Sequence, residues 1–176
     1  EMRRVKFTMR DRLVLTPMEM IPALIRYAIY AALMFFIMGL KPSGIVFKHG
    51  LTEGLPFIFL GLLSVLAGAF VTPLLLPFVP FRSFAVKGWL VGFVFILIGI
   101  NSISVAVPTT AFYIFVFLFF PLASSYIALQ FTGSTTFTGM SGVKKELRYA
   151  MPVYISAASL SFVLLVIFKL RQWGIL

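Results

Sequence analysis

The chain has 176 residues, 61% of them hydrophobic, and a mean hydropathy of +1.06. That composition excludes an ordinary soluble domain and makes lipid the solvent for most of the chain. Fifteen Lys and Arg against five acidic residues give a net charge of +10. No aromatic-interleaved basic surface lies outside the apolar runs, so the charge reads as the flanking of membrane helices and not as a nucleic-acid footprint.

The predicted architecture is an all-α integral membrane domain, a bundle of five transmembrane helices. Residues 1–16 form a basic juxtamembrane linker and 17–176 the membrane domain, with spans near 21–40, 55–76, 88–107, 110–131 and 152–170. Each is about 20 residues, the length that crosses a hydrocarbon core of about 30 Å. Ahead of the first span, Thr16 is placed to cap, Pro17 suits a first helical position, and Glu19 stands where a capping-box carboxylate reaches back. Pro22 sets 17–21 apart as an interfacial turn. Glu19 and Arg26 are two turns apart on one helix face, a candidate intramembrane polar pair. Snorkelling of Arg26 into the headgroup layer is the plainer account of it.

Lys41, Lys48 and His49 fall in the loop before the second span, which Pro73, Pro77 and Pro80 end in steps. Pro108 makes a tight hairpin of the third and fourth spans; Asn101, Ser102 and Ser104 cap the end of the third. Pro121 kinks the fourth span, whose run from Phe112 to Phe120 is expected to face lipid, and Pro152 opens the fifth. Small residues four apart (Gly88 and Gly92, Ser64 and Gly68, Ala157 and Ser161) allow close helix packing, extended by Gly99, Ser124, Ser125 and Ser156.

Residues 131–146 are the least ordinary stretch. Thr132, Gly133, Ser134, Thr135, Thr136 and Ser141 lead into Lys144 and Lys145 at the start of a short amphipathic helix. Cations near a helix N-terminus oppose the macrodipole unless an anion sits there, which makes these residues a candidate docking or anion site for a phosphate, a lipid headgroup or an acidic partner surface. Equally, the hydroxyls of a re-entrant loop could serve its own backbone groups. The stretch is not a Walker A loop, because no GK[ST] follows.

Ten of the fifteen cations lie in the N-terminal segment and in the 77–87 and 132–151 loops, on one side of the five spans. The positive-inside rule then puts the N-terminus in the cytoplasm and the C-terminus outside. Glu1-Met2, followed by charged residues and no signal-peptide core, leads to the expectation of a soluble domain ahead of this one on the cytoplasmic side. With no Cys and a single His, the chain builds no zinc, haem or iron–sulfur site of its own.

Two motifs carry a family resemblance. Residues 8–19 (Thr-Met-Arg-Asp-Arg-Leu-Val-Leu-Thr-Pro-Met-Glu) and 131–146 (Phe-Thr-Gly-Ser-Thr-Thr-Phe-Thr-Gly-Met-Ser-Gly-Val-Lys-Lys-Glu) resemble the entry and the last loop of the membrane part of HgcA, the mercury-methylating corrinoid protein family. The resemblance implies a role as anchoring and docking domain in the prokaryotic cytoplasmic membrane. It implies a corrinoid (cobalamin) domain upstream on the same polypeptide, whose cap-helix cysteine ligates cobalt and whose methyl group passes to Hg(II), and a ferredoxin-like partner, HgcB. No catalytic, cofactor or metal residue of that family carries over to this chain, which lacks cysteine. The alternative is a small five-span transporter or permease subunit, against which stand the lack of an inverted repeat and of a deep carboxylate. A lipid-acting enzyme is disfavoured because Asp11, Glu19, Glu53 and Glu146 are too scattered to form a pair.

Overall fold

The computed structural model describes residues 9–42, 44–76, 78–81, 83–103, 109–131 and 140–175. They form an all-α bundle with one small β-ribbon. Helix α1 spans Met9–Gly39; strands β1 (Leu40–Lys41) and β2 (Gly44–Ile45) make a two-residue antiparallel turn; α2 spans Phe47–Leu66. A π-helical segment, Ala67–Val71, joins α2 to the short α3 (Thr72–Leu75). Helices α4 (Phe84–Ile100), α5 (Thr110–Phe131) and α6 (Met140–Gln172) follow.

Four stretches are long and apolar enough to cross a membrane: Thr16–Gly39, Phe47–Leu75, Thr110–Gln130 and Lys144–Gln172. Helix α4, with 17 residues, is apolar and shorter, rising about 25 Å. An exposed row on α1 (Val14, Met18, Ile21, Ile25, Ile29, Leu33) recurs every three or four residues. A row of that length has no place in water and is at home against lipid tails.

Helices α1, α2, α4 and α6 start before the expected spans, α5 keeps the expected bounds and α4 stops at Ile100, short of the expected 107, and the reasons are local. Helix α1 passes through Pro17 and Pro22 without a break, so Thr16 is a buried residue inside it and not a cap, and there is no separate turn at 17–21. Each proline removes one backbone bond, whereas unwinding would expose several polar groups to lipid. Helix α2 starts eight residues before the expected span, so His49 lies on a helix and not in a loop; His49 Nδ1 pairs with Glu53 Oε1 at 3.0 Å one turn later. Helix α4 begins at Phe84 because Ser83 caps it, accepting from Val86 N at 3.3 Å. It ends at Ile100, where the Asn101 amide donates to Leu97 O at 2.9 Å, the expected end-capping role. Pro152 lies well inside α6 and does not begin it, and the expected short amphipathic helix is the first part of the same 33-residue helix. Ser104 and Pro108 lie outside the described residues.

The long helices alternate in direction along the chain. Arg26 meets Gln130 and Tyr30 meets Phe119, so α5 runs antiparallel to α1; Ser125 meets Tyr154 and Phe112 meets Phe168, so it also runs antiparallel to α6. The N-terminal ends of α1, α4 and α6 therefore share one end of the bundle, here the basic end.

Gly88 and Gly92 bring α4 against α5 as the small-residue spacing suggests. A Cβ on Gly92 would stand 2.5 Å from Ser124 Cβ, and Ser124 Oγ donates to Gly88 O at 3.0 Å. Ala157 and Ser161 are likewise buried, whereas Ser156 is exposed and joins no interface.

The core corrects the expected lipid face of α5. Phe112 and Phe120 are both 0% exposed and Phe115 is buried. Phe57 sits among the rings of Phe112, Phe115 and Phe168, with centroids 5.4 to 5.7 Å apart. Lipid tails are as apolar as phenylalanine, so apolarity does not sort inside from outside; the fit between side chains does.

Candidate functional site at the basic end

Of the residues singled out in sequence, Thr132, Gly133, Ser134, Thr135 and Thr136 lie outside the described residues. Ser141 lies on the first turn of α6, its side chain outside the description. Lys144 and Lys145 are exposed on α6. They are the fifth and sixth described residues of α6, which spans Met140–Gln172.

The next residue carries the geometry. The Glu146 carboxylate reaches across to the start of α4, accepting from Ala85 N at 2.8 Å and from Ser83 Oγ. It supplies the negative charge that an unpaired helix N-terminus favours, and it supplies it from α6. Beside it, Ser125 Oγ donates to Ala85 O at 2.7 Å and pairs with Tyr154 Oη at 2.7 Å, while Lys87 Nζ donates to Leu76 O at 2.7 Å. These bonds tie α3, α4, α5 and α6 together and leave Lys144, Lys145, Arg148 and Tyr149 on the outside. The arrangement can present positive charge on a rigid base.

Glu19 lies on α1 with its side chain outside the description. Arg26 is exposed and donates through Nη1 to Gln130 Oε1 at 2.5 Å, so its described partner is a neutral amide on α5.

At the opposite end lies a polar cluster that sequence reasoning missed. Lys169, near the end of α6, is only 6% exposed. Its Nζ donates to Met38 O at 2.9 Å, to Leu40 O at 3.3 Å and to Gln172 Oε1 at 2.7 Å. Gln172 in turn donates to Glu53, which also holds His49, and Trp173 Nε1 donates to Leu40 O at 3.1 Å. The available signal was the spacing of Lys169 and Gln172, which share a face of the last turn. Among the described residues no group of three or more His, Cys, Asp or Glu could hold a metal ion.

Comparison with protein-family models, with curated proteins and with solved structures finds no match.

Proposed function

We propose that this chain is the membrane domain of a corrinoid-dependent mercury methyltransferase of the HgcA type, in which it anchors and docks the catalytic domain. In this reading all five apolar helices cross the prokaryotic cytoplasmic membrane, with the N-terminus inside and the C-terminus outside. Hg(II) methylation belongs to a corrinoid domain upstream on the same polypeptide, and HgcB supplies electrons to it. The residues here do not fit a corrinoid: the sequence has no cysteine to ligate cobalt, and His49 is held by Glu53. No chemical step runs through this chain.

One observation carries the docking role. Helices α1 and α6, of 31 and 33 residues, both end their N-terminal runs at the basic end. At about 46 and 50 Å they are longer than a hydrocarbon core of about 30 Å. Two basic helices on one side, α6 braced against the start of α4 by its Glu146, make a platform for an acidic protein surface. The orientation follows from the loops richest in Lys and Arg.

The reading frame upstream of Glu1 tests the proposal. An in-frame corrinoid domain with a cysteine on its cap helix supports it. A start codon within a few residues of Glu1, or mercury methylation by residues 1–176 alone, overturns it. A transporter or permease subunit is the second reading, favoured by the π-helical segment Ala67–Val71 that interrupts the second apolar helix just before Pro73. Substrate- or ion-dependent flux in liposomes would support that reading.

A further inference from the structure

The flank of the bundle holds a feature that docking does not use. Helix α1 rests along α2 and is bridged to α5 by two side-chain contacts: the Arg26–Gln130 hydrogen bond, and the rings of Tyr30 and Phe119, stacked with centroids 6.0 Å apart. Between α1 and α5, floored by α2, lies a cleft of about 220 Å³. Gly61, Val65, Phe120, Ala123 and Ile127 make its walls almost wholly apolar. Its rim residues Arg26, Tyr126 and Gln130 are exposed, so the cleft opens on the flank.

We propose that this cleft binds one anionic diacyl phospholipid from the leaflet at the basic end. The phosphate would sit on Arg26 and Gln130, and one acyl chain would run along the apolar walls. Three observations converge on that ligand.

The first is charge. Among the described residues Arg26 forms no ion pair, and its partner is the neutral Gln130 amide. A guanidinium beside lipid favours a phosphate oxygen, which it can grip with two N–H groups. The Gln130 amide has N–H donors of its own to add.

The second is depth. Gln130 is the next-to-last residue of α5, and helical side chains lean toward their helix N-terminus. Both facts put the Arg26 guanidinium at the headgroup level of the basic end.

The third is register. Tyr30 follows Arg26 by four residues, one turn deeper on the same face of α1. Its hydroxyl is buried and has no hydrogen-bond partner, whereas the neighbouring Tyr27 hydroxyl donates to Ile58 O. A phospholipid carries its ester carbonyls just below the phosphate, where they can accept from Tyr30. Gly61 keeps the floor open: a Cβ there would stand 2.8 Å from Tyr30 Cε1 and 3.0 Å from Tyr27 Cε2.

The test uses the full chain in detergent, titrated with phosphatidylglycerol or phosphatidylcholine of identical acyl chains, with bound lipid counted by native mass spectrometry. The expected result is one phosphatidylglycerol per chain, preferred at least about fivefold, the worth of one cation against one anionic headgroup. Arg26→Gln should erase the preference, Arg26→Lys should keep most of it, and Lys144→Ala with Lys145→Ala should leave it unchanged. Ala123→Phe narrows the cleft without altering charge and should cut retention by a similar factor. Equal retention of both lipids by the native chain overturns the proposal. So does a preference that survives Arg26→Gln, or that follows Lys144 and Lys145 instead. Should Arg26→Gln fail to fold, Ala123→Phe and the native preference decide, and unchanged retention in Ala123→Phe then overturns it.

Discussion

Lys169 Nζ donates to the carbonyl of Met38, a residue 131 positions earlier, at 2.9 Å. The bond closes the bundle at the end opposite the basic loops. The last carbonyls of α1 have no partner within their own helix, and an ammonium from α6 takes that of Met38 together with the carbonyl of Leu40 in β1. Replacing Lys169 with Met keeps the apolar stem and strands Met38 O and Gln172 Oε1, while Leu40 O keeps its bond from Trp173 Nε1. The expected loss is about 1–3 kcal/mol, the cost of leaving buried acceptors unpaired. Thermal unfolding in detergent reads it as a lower midpoint than the native chain; an unchanged midpoint would show that water serves these carbonyls as well.

Glu146 does for α4 what Lys169 does for α1, from the same helix and at the other end of the bundle. Glu146→Ala removes the acceptor from Ala85 N and Ser83 Oγ, and loss of a helix cap costs about 0.5–2 kcal/mol. The first turn of α4 should then open more often, and limited proteolysis should cut faster around residues 78–84. Glu146→Gln keeps a carbonyl acceptor without the charge, so its cleavage rate is expected between the two. Equal rates for all three chains would remove Glu146 from any bracing role.

The helices themselves were legible in sequence, because apolar length and flanking charge are set by the bilayer and need no knowledge of neighbours. Gly88 and Gly92 were legible for a similar reason, since close backbone approach needs small residues wherever the partner lies. The side facing inward was not. Phe112 and Phe120 look like lipid-facing residues by composition, and only the ring of Phe57 on another helix shows why they are buried. Helix ends were misplaced where polar residues are helix-compatible: His49 and Glu53 lower the hydropathy but pair across one turn, and α2 starts before them. The polar links from Lys169 to Met38 and from Arg26 to Gln130 each join residues more than a hundred apart, which no local pattern records.

Two glycines on buried faces should respond to alanine in opposite ways. At Gly92 the new Cβ would meet Ser124 Cβ at 2.5 Å and Pro121 Cα at 3.2 Å, so α4 and α5 must part. Overpacking of this kind costs about 1–3 kcal/mol. At Gly54 the nearest atoms, Met38 Cβ and Phe35 Cα, are 3.6 Å away, which is ordinary contact. There alanine should be neutral or should stabilise by up to about 1 kcal/mol, the usual gain over glycine inside a helix. Side-by-side melting of the two variants checks the packing of both helix pairs, and a stabilising Gly92→Ala would contradict the α4–α5 interface.

The docking role makes its sharpest claim at Lys144 and Lys145, which are exposed on a helix held to α4 by Glu146. Charges at the rim of an interface act mainly on the association rate and its salt dependence. If the proposed reading holds, Lys144→Ala with Lys145→Ala should slow association with a separately supplied corrinoid domain at low ionic strength and leave dissociation nearly unchanged. The gap from the native chain should close as salt rises and the Debye length falls from about 30 Å at 0.01 M to about 3 Å at 1 M. Surface plasmon resonance across a salt series reads both rates. Identical association rates at every salt concentration would mean that the basic platform does not meet that domain, and the docking role would then have to rest on another face.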